Sequence, residues 1–412
     1  MPIVISKRFI RVQSLGATAI RVSAVGAICS VGFSTALTSI FCGLILILWI
    51  STGQMISQFK VYFAHPVSRA VLLFFIVLIF GCGIGDVAID ARLDSLWSWR
   101  KLVFIVILIP LFSEVAWKDR FIEYFFLSCC VGLAISFFSY FGIIKFNIDD
   151  VPGVVLQNWA TQGMIFSVAT LVAFSLQSQA KKGSQILLIL LGIVFIINII
   201  YVTPGRSGYV ALFVTLLTIG LIKFGVRWLP ITIVALSLLA GLAYFNSPTM
   251  KSKIERSWIM ADIYSSNDEP PLNSETFRIM AYTNTWEVIK QRPIFGGGTG
   301  GFPVVFNKHV RDKYSDWRAE KISDPHNQYL FILAENGFLG FVFFLGFLVS
   351  PILVASSRNY HYQIGTGILL IWSITSLFSS HFRTFPEGHF VALFLGVMFS
   401  MPFDRDLKRI SG

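Results

Sequence analysis

The chain has 412 residues, 55% of them hydrophobic and only 13% charged, with a mean hydropathy of +0.71. That composition excludes a set of soluble domains counted by length and places the chain in the polytopic membrane class. A net charge of +11 would suit nucleic acid, but in a membrane chain a basic cytoplasmic rim accounts for it, so membrane lipids and no nucleic acid are the expected surroundings.

The five cysteines all fall in apolar runs and none pairs as C-x-x-C, so neither a disulfide framework nor a zinc site is implied. The first twenty residues carry Lys7, Arg8 and Arg11 without a short apolar run and small-residue cleavage site, and read as a retained cytoplasmic tail. Residues 14 to 52 are too long for one span of ~20 residues, and the Gly32-Phe33-Ser34-Thr35 break divides them into a hairpin. Further spans are expected at 67–85, 101–117, 121–144, 160–179, 184–203, 208–224 and 228–246, then 326–352, 361–380 and 387–403. The reading is an all-α polytopic membrane protein of about twelve transmembrane helices with one long helix-containing loop. It divides into 1–246 with spans one to nine, 247–325 as a loop domain, and 326–412 with spans ten to twelve and a cytoplasmic tail.

Short loops rich in Lys and Arg stay cytoplasmic, so counting basic residues orients the chain. With both termini inside, 16 of the 33 Lys and Arg fall in cytoplasmic segments, 6 in short outer loops and 11 in the long loop. The long loop then faces outward, where ATP and nucleotide sugars are absent. A transfer reaction there needs a donor already activated in the membrane, such as a lipid-linked pyrophosphate.

Polar chemistry in such a chain must sit where side chains stay wet. Asp324-Pro325-His326-Asn327 opens span ten, with Asp as N-cap, Pro at N1 and His326 at N2. A helix N-terminus keeps an imidazole neutral, which suits a general base, although a capping or interfacial histidine has the same spacing. Arg206, in Thr203-Pro204-Gly205-Arg206-Ser207-Gly208, could fork onto phosphate oxygens or onto a lipid headgroup. Arg278, Tyr282 and Trp286 share one face of a helix over roughly 275–291, an arrangement equally suited to sugar phosphate and to a membrane interface.

The run Gly296-Gly297-Gly298-Thr299-Gly300-Gly301 has no following Lys-Ser or Lys-Thr and no preceding strand, so it reads as a close-packed turn, with phosphate contact through backbone N–H groups a secondary role. Asp86, Asp90 and Asp94 read as a solvated face, Asp404-Arg405-Asp406 as cytoplasmic, and no metal is expected. His381, Arg383, Glu387 and His389 cluster in the last outer loop, with Arg383 the best further anion ligand.

At these residues the chain resembles the O-antigen ligase and polymerase superfamily of bacterial envelopes. The resemblance rests on Phe277-Arg278 and Trp286, on Pro293-Ile294-Phe295 with the glycine run and Phe302, and above all on the string from His326-Asn327-Gln328-Tyr329-Leu330 to Ala334-Glu335-Asn336-Gly337 and Gly340. The family's middle motif often reads G-x-G-x-x-F, which this chain replaces with a longer glycine run. The resemblance implies a metal-independent inverting glycosyltransferase of the multispan type, without cofactor, in the bacterial inner membrane with its site and long loop on the periplasmic side. It implies an undecaprenyl-pyrophosphate-linked polysaccharide as donor and the lipid A core as acceptor. His326 would be catalytic, Arg206 and Arg278 would hold the pyrophosphate with Arg383 beside them, and Tyr282, Trp286 and Asn327 would contact substrate. An O-antigen polymerase, with a second lipid-linked chain as acceptor, is the nearest alternative, and a secondary transporter a more distant one.

Overall fold

The computed structural model describes residues 7–400 except 147, 149, 204, 267, 268 and 355–358. Pro204 and the Asp404-Arg405-Asp406 stretch named above therefore lie outside the described residues. In chain order the helices are α1 (Lys7–Ser30), α2 (Thr35–Ser51), α3 (Gln54–Ser57), α4 (Phe59–Ala64), α5 (Pro66–Gly81), α6 (Ile89–Trp99), α7 (Val103–Leu108), α8 (Val115–Tyr140) and α9 (Trp159–Leu176). They continue with α10 (Lys182–Ile197), α11 (Arg206–Phe224), α12 (Leu229–Asn246), α13 (Pro248–Ser266), α14 (Ser274–Gln291), α15 (Phe302–Lys313), α16 (Gln328–Val349), α17 (Tyr360–Thr375) and α18 (Phe385–Met398). No strand occurs among the described residues, and the chain is a multi-pass, all-helical membrane protein.

Among the described residues seven helical stretches are long and apolar enough to cross a membrane, and α2, α5 and α18 are shorter apolar helices. The hairpin read into residues 14–52 is present: α1 ends at Ser30 and Ser34 caps α2, its hydroxyl accepting the Leu37 amide at 3.2 Å. The expected span at 101–117 does not form. A 3-10 turn over Arg100–Leu102 leads into the six-residue α7, and the chain then turns at Pro110, which has no N–H to continue a helix. Lys101 is buried there, its Nζ donating to the carbonyl oxygens of Ser98 and Arg383. The expected span at 326–352 starts instead at Gln328 and is broken at Gly337 (φ 63, ψ −163).

Burial divides the helices into a centre and an edge. α9 lies between α8, α10, α11 and α17, with nearly every side chain buried, whereas α12 touches α11 and α13 and leaves most of its apolar side chains outward. In lipid an outward Leu or Ile costs nothing, so outward apolar helices are expected. In the polar segments α14 packs on α13, α15 and α16, while α13 also meets α12 and α15 also meets α16.

The glycine run locks α16 in place. Gly297 donates to Ala334 O at 2.8 Å, Thr299 to Gly81 O at 3.0 Å, and Gly300 to the buried Glu335 carboxylate at 3.1 Å. Phe338 donates back to Pro293 O at 2.8 Å across the break at Gly337. These amides are committed to protein acceptors, which argues against a phosphate-holding role for them. Gly298 has φ +85, and a β-carbon there would lie 2.1 Å from Ile84 O. Replacing Gly298 with Ala adds a left-handed strain of roughly 1–3 kcal/mol to that clash, so the variant is expected to melt well below wild type in detergent. Unchanged melting would remove the packing role.

Candidate functional site

His326 is not the second residue of a helix. Asn327 is the N-cap of α16, its side-chain oxygen accepting the amides of Tyr329 at 3.0 Å and Leu330 at 3.1 Å, and His326 precedes it with φ +55. Asp324 caps no helix. Its Oδ1 accepts the His326 amide at 2.6 Å, the local turn an aspartate makes with the backbone two residues on. The expected helical register failed because two side chains competed for the helix start, and the Asn327 amide, next to the first apolar turn, won it. The residue is partly accessible, and its ring meets that of Phe277 edge-on at 5.7 Å. Partial burial lowers the His326 pKa, Asp324 works the other way, and Arg278 lowers it further, so the ring stays neutral to lower pH than an ordinary histidine.

α14 brings the cations to the same place. Its start carries a capping box, with Asn273 Oδ1 accepting from Glu275 and Thr276 and the Thr276 hydroxyl returning to the Asn273 amide. Tyr282, one turn beyond Arg278, shares its hydroxyl proton between His326 O at 3.1 Å and Leu377 O at 3.0 Å. The α14 face is thereby tied to both sides of the site. Arg206 opens α11, and its Nη1 donates to Glu275 Oε1 at 2.7 Å and to the Ser257 hydroxyl at 2.7 Å. Burial alone would raise the Glu275 carboxyl, but the Ser274 hydroxyl and Arg206 outweigh it and hold the group below the usual carboxylate range. Arg278 makes no hydrogen bond or ion pair with the described residues. It is a half-buried cation free to take an anion.

Arg206, Glu275, Arg278 and Ser257 line a cavity of about 580 Å³, roofed by α13 through Ile254 and Ala261. Tyr209, Phe213, Ala240 and Met250 belong both to that cavity and to an adjoining groove of about 790 Å³ between α11 and α12. The groove runs past Leu216 and Leu236 to Phe224 and Trp228, at the far ends of those helices, and is lined almost wholly by apolar side chains. Together they form one amphipathic site, charged at one end and oily along the rest.

His326 does not itself line the cavity, but Phe277 and Tyr282 connect it to the α14 face that does. Tyr282, expected on substrate, spends its hydroxyl on backbone. Asn327, also expected on substrate, is a buried helix cap. Trp286 is half exposed and outside the cavity lining. Arg383 stands apart from the cavity as well, its Nε on Ser98 Oγ at 2.9 Å and its guanidinium 3.8 Å from the Phe331 ring centroid. Glu387 accepts the Thr161 hydroxyl, and His389 Nδ1 lies 2.7 Å from Phe385 O. His381 is buried in the same loop. Glu275, Ser257 and Ser274 were missed in the sequence; an acid in the first turn of a helix bearing Arg278 was the available signal for Glu275.

Comparison with known proteins agrees with the motifs. Residues 189–345 match a family model described as O-antigen ligase, which confirms the resemblance to that superfamily of membrane enzymes. The chain is also 25% identical over 307 residues to an uncharacterized protein of Haemophilus influenzae, covering 71% of this chain and 73% of that one.

The two arginines should differ in what their loss does to stability. Arg206→Ala strands the nearly buried Glu275 carboxylate without its partner and should cost about 1–3 kcal/mol, read as a lower melting temperature. Arg278→Ala removes a cation with no partner and should leave melting unchanged or raised.

Proposed function

We propose that the chain is a glycosyltransferase of the O-antigen ligase type, which moves a polysaccharide from undecaprenyl pyrophosphate to a sugar of the lipid A core on the periplasmic side of the bacterial inner membrane. The observation that carries this reading is the amphipathic site. A two-arginine cavity opening into an apolar groove between two membrane helices matches a diphosphate on a long hydrocarbon tail. The excess of basic residues in the expected cytoplasmic segments supports the periplasmic side.

In this mechanism the diphosphate lies between Arg206 and Arg278, with the tail in the groove, and the acceptor hydroxyl approaches from the His326 side. Neutral His326 takes the hydroxyl proton as the oxygen forms its bond to the anomeric carbon. The bond from that carbon to the phosphate oxygen breaks, and its electron pair stays on the diphosphate. Attack opposite the leaving group inverts the anomeric centre. Guanidinium charge balances the negative charge growing on the leaving group, the role a divalent ion plays in other sugar transferases. Arg278, having no internal partner, has the most interaction to gain there.

The test is transfer from purified lipid-linked donor to purified core. His326→Ala should lose roughly 10²–10⁴-fold in kcat while donor binding and protein level hold, and a chelator should not slow the wild type. Arg278→Ala should raise the KM for donor and lower kcat together. The lowered His326 pKa sets the sign of the pH effect: a base is active when unprotonated, so the acid limb of kcat/KM should fall below the ordinary histidine value of about 6.5. Full transfer by the His326→Ala chain would end the general-base assignment. In a deletion strain, polymerised chains stranded on the carrier indicate a ligase; core bearing a single repeat indicates a polymerase.

A further inference from the structure

The loop over residues 376–384 is threaded through the start of α16, and one carboxylate makes several of the joins. Besides accepting the His326 amide, Asp324 Oδ1 accepts the Ser380 hydroxyl at 2.9 Å, and its Oδ2 faces Arg383 Nη1 at 3.6 Å. Around it, Gln328 N donates to Ser376 O at 2.9 Å and Phe382 N to Gln328 Oε1 at 3.2 Å. The His326 backbone is therefore held at both ends, its N–H by Asp324 and its C=O by Tyr282. A left-handed conformation costs a residue with a β-carbon roughly 1–2 kcal/mol, and these two bonds are what offset it.

Arg383 has the chemistry of a phosphate ligand without the placement of one. Its guanidinium is shared among Asp324, Ser98 on α6 and the Phe331 ring on α16, and it contributes nothing to the wall of the two-arginine cavity. We propose that Asp324 is the positioning residue of His326, and that Arg383 serves the reaction through Asp324 and not by holding the donor's phosphates. This inference rests on the general-base reading of His326. The titratable groups facing that histidine are Asp324 from its own loop and Arg278 and Tyr282 from α14, with His381 from the 376–384 loop under the same influence of Asp324 and Arg278. Of these, Asp324 favours the imidazolium, so removing its charge lowers the pH at which His326 becomes neutral.

The experiment uses the full chain in detergent with two readouts. Carbethoxylation of His326 by diethyl pyrocarbonate, followed by peptide mass spectrometry across pH, reports the neutral ring and needs no transfer. Asp324→Asn should shift its midpoint to lower pH. In the transfer assay Asp324→Asn, whose amide oxygen still accepts the His326 N–H, should keep most of kcat. Asp324→Ala should lose on the order of 10²-fold in kcat with donor KM nearly unchanged. Arg383→Gln should lower kcat in the wild type and add little in the Asp324→Ala background. A rise in donor KM from Arg383→Gln that persists without Asp324 would overturn the proposal, as would a His326 modification profile indifferent to Asp324→Asn. If Asp324→Ala does not fold, the Asn and Gln variants decide by the same readouts. Absence of transfer by the wild type would defeat the functional reading, while the modification profile would still decide whether Asp324 governs His326.

Discussion

The placement of α16 is set by backbone meeting backbone. At Gly298, Gly300 and Gly337 the chain comes so close to Ile84, Ala91 and Ile294 that a β-carbon would lie within 2.1 to 2.5 Å of a carbonyl oxygen. Such contacts leave no rotamer to adjust, so the break in α16 and the glycine run fix each other rigidly. His326 stands just before the N-terminus of this helix, about half a helix from the interlock at Gly337, and Tyr282 on α14 ties it directly to that helix. The buried Glu335 carboxylate belongs to the same device, receiving Ser95 Oγ at 3.0 Å as well as the Gly300 amide.

Onto that frame the chain adds cations of unlike status. Arg206 is neutralised in place by Glu275 and steadied by serines from α13 and α14, so its loss damages the fold as well as the site. Arg278 feels the Glu275 carboxylate one turn away but forms no hydrogen bond or ion pair with it or with any other described residue. Arg383 is a third case, shared among Asp324, Ser98 and the Phe331 ring. Three arginines of similar sequence prominence thus hold three different electrostatic positions, separated by which carboxylate or ring each one meets.

The hydrocarbon shell and the polar layer follow different rules, and their junction is where the site lies. α11 and α12 diverge enough to leave an apolar groove between them, and α13 folds back over its charged end. The charged cavity and the apolar groove are continuous through Tyr209, Phe213, Ala240 and Met250.

Composition, hydropathy and motif spacing by themselves determined the class of the protein, most of its apolar helices, the hairpin at Gly32–Thr35, the α14 helix and the family that it resembles. These are local or periodic properties, written in consecutive residues, and lipid makes them easy to read because apolar length alone signals a span. Pro110 was equally visible, but whether it kinked a span or ended one could not be read from the local sequence; in the structure α7 ends at Leu108 and the chain turns. The backbone of His326, the employment of Tyr282 and Asn327 on protein atoms, and the pairing of Arg206 with Glu275 were decided by tertiary structure. Each turns on which of several competent hydrogen-bond partners arrives from a distant segment, and residue type records the capacity to bond without recording the neighbour.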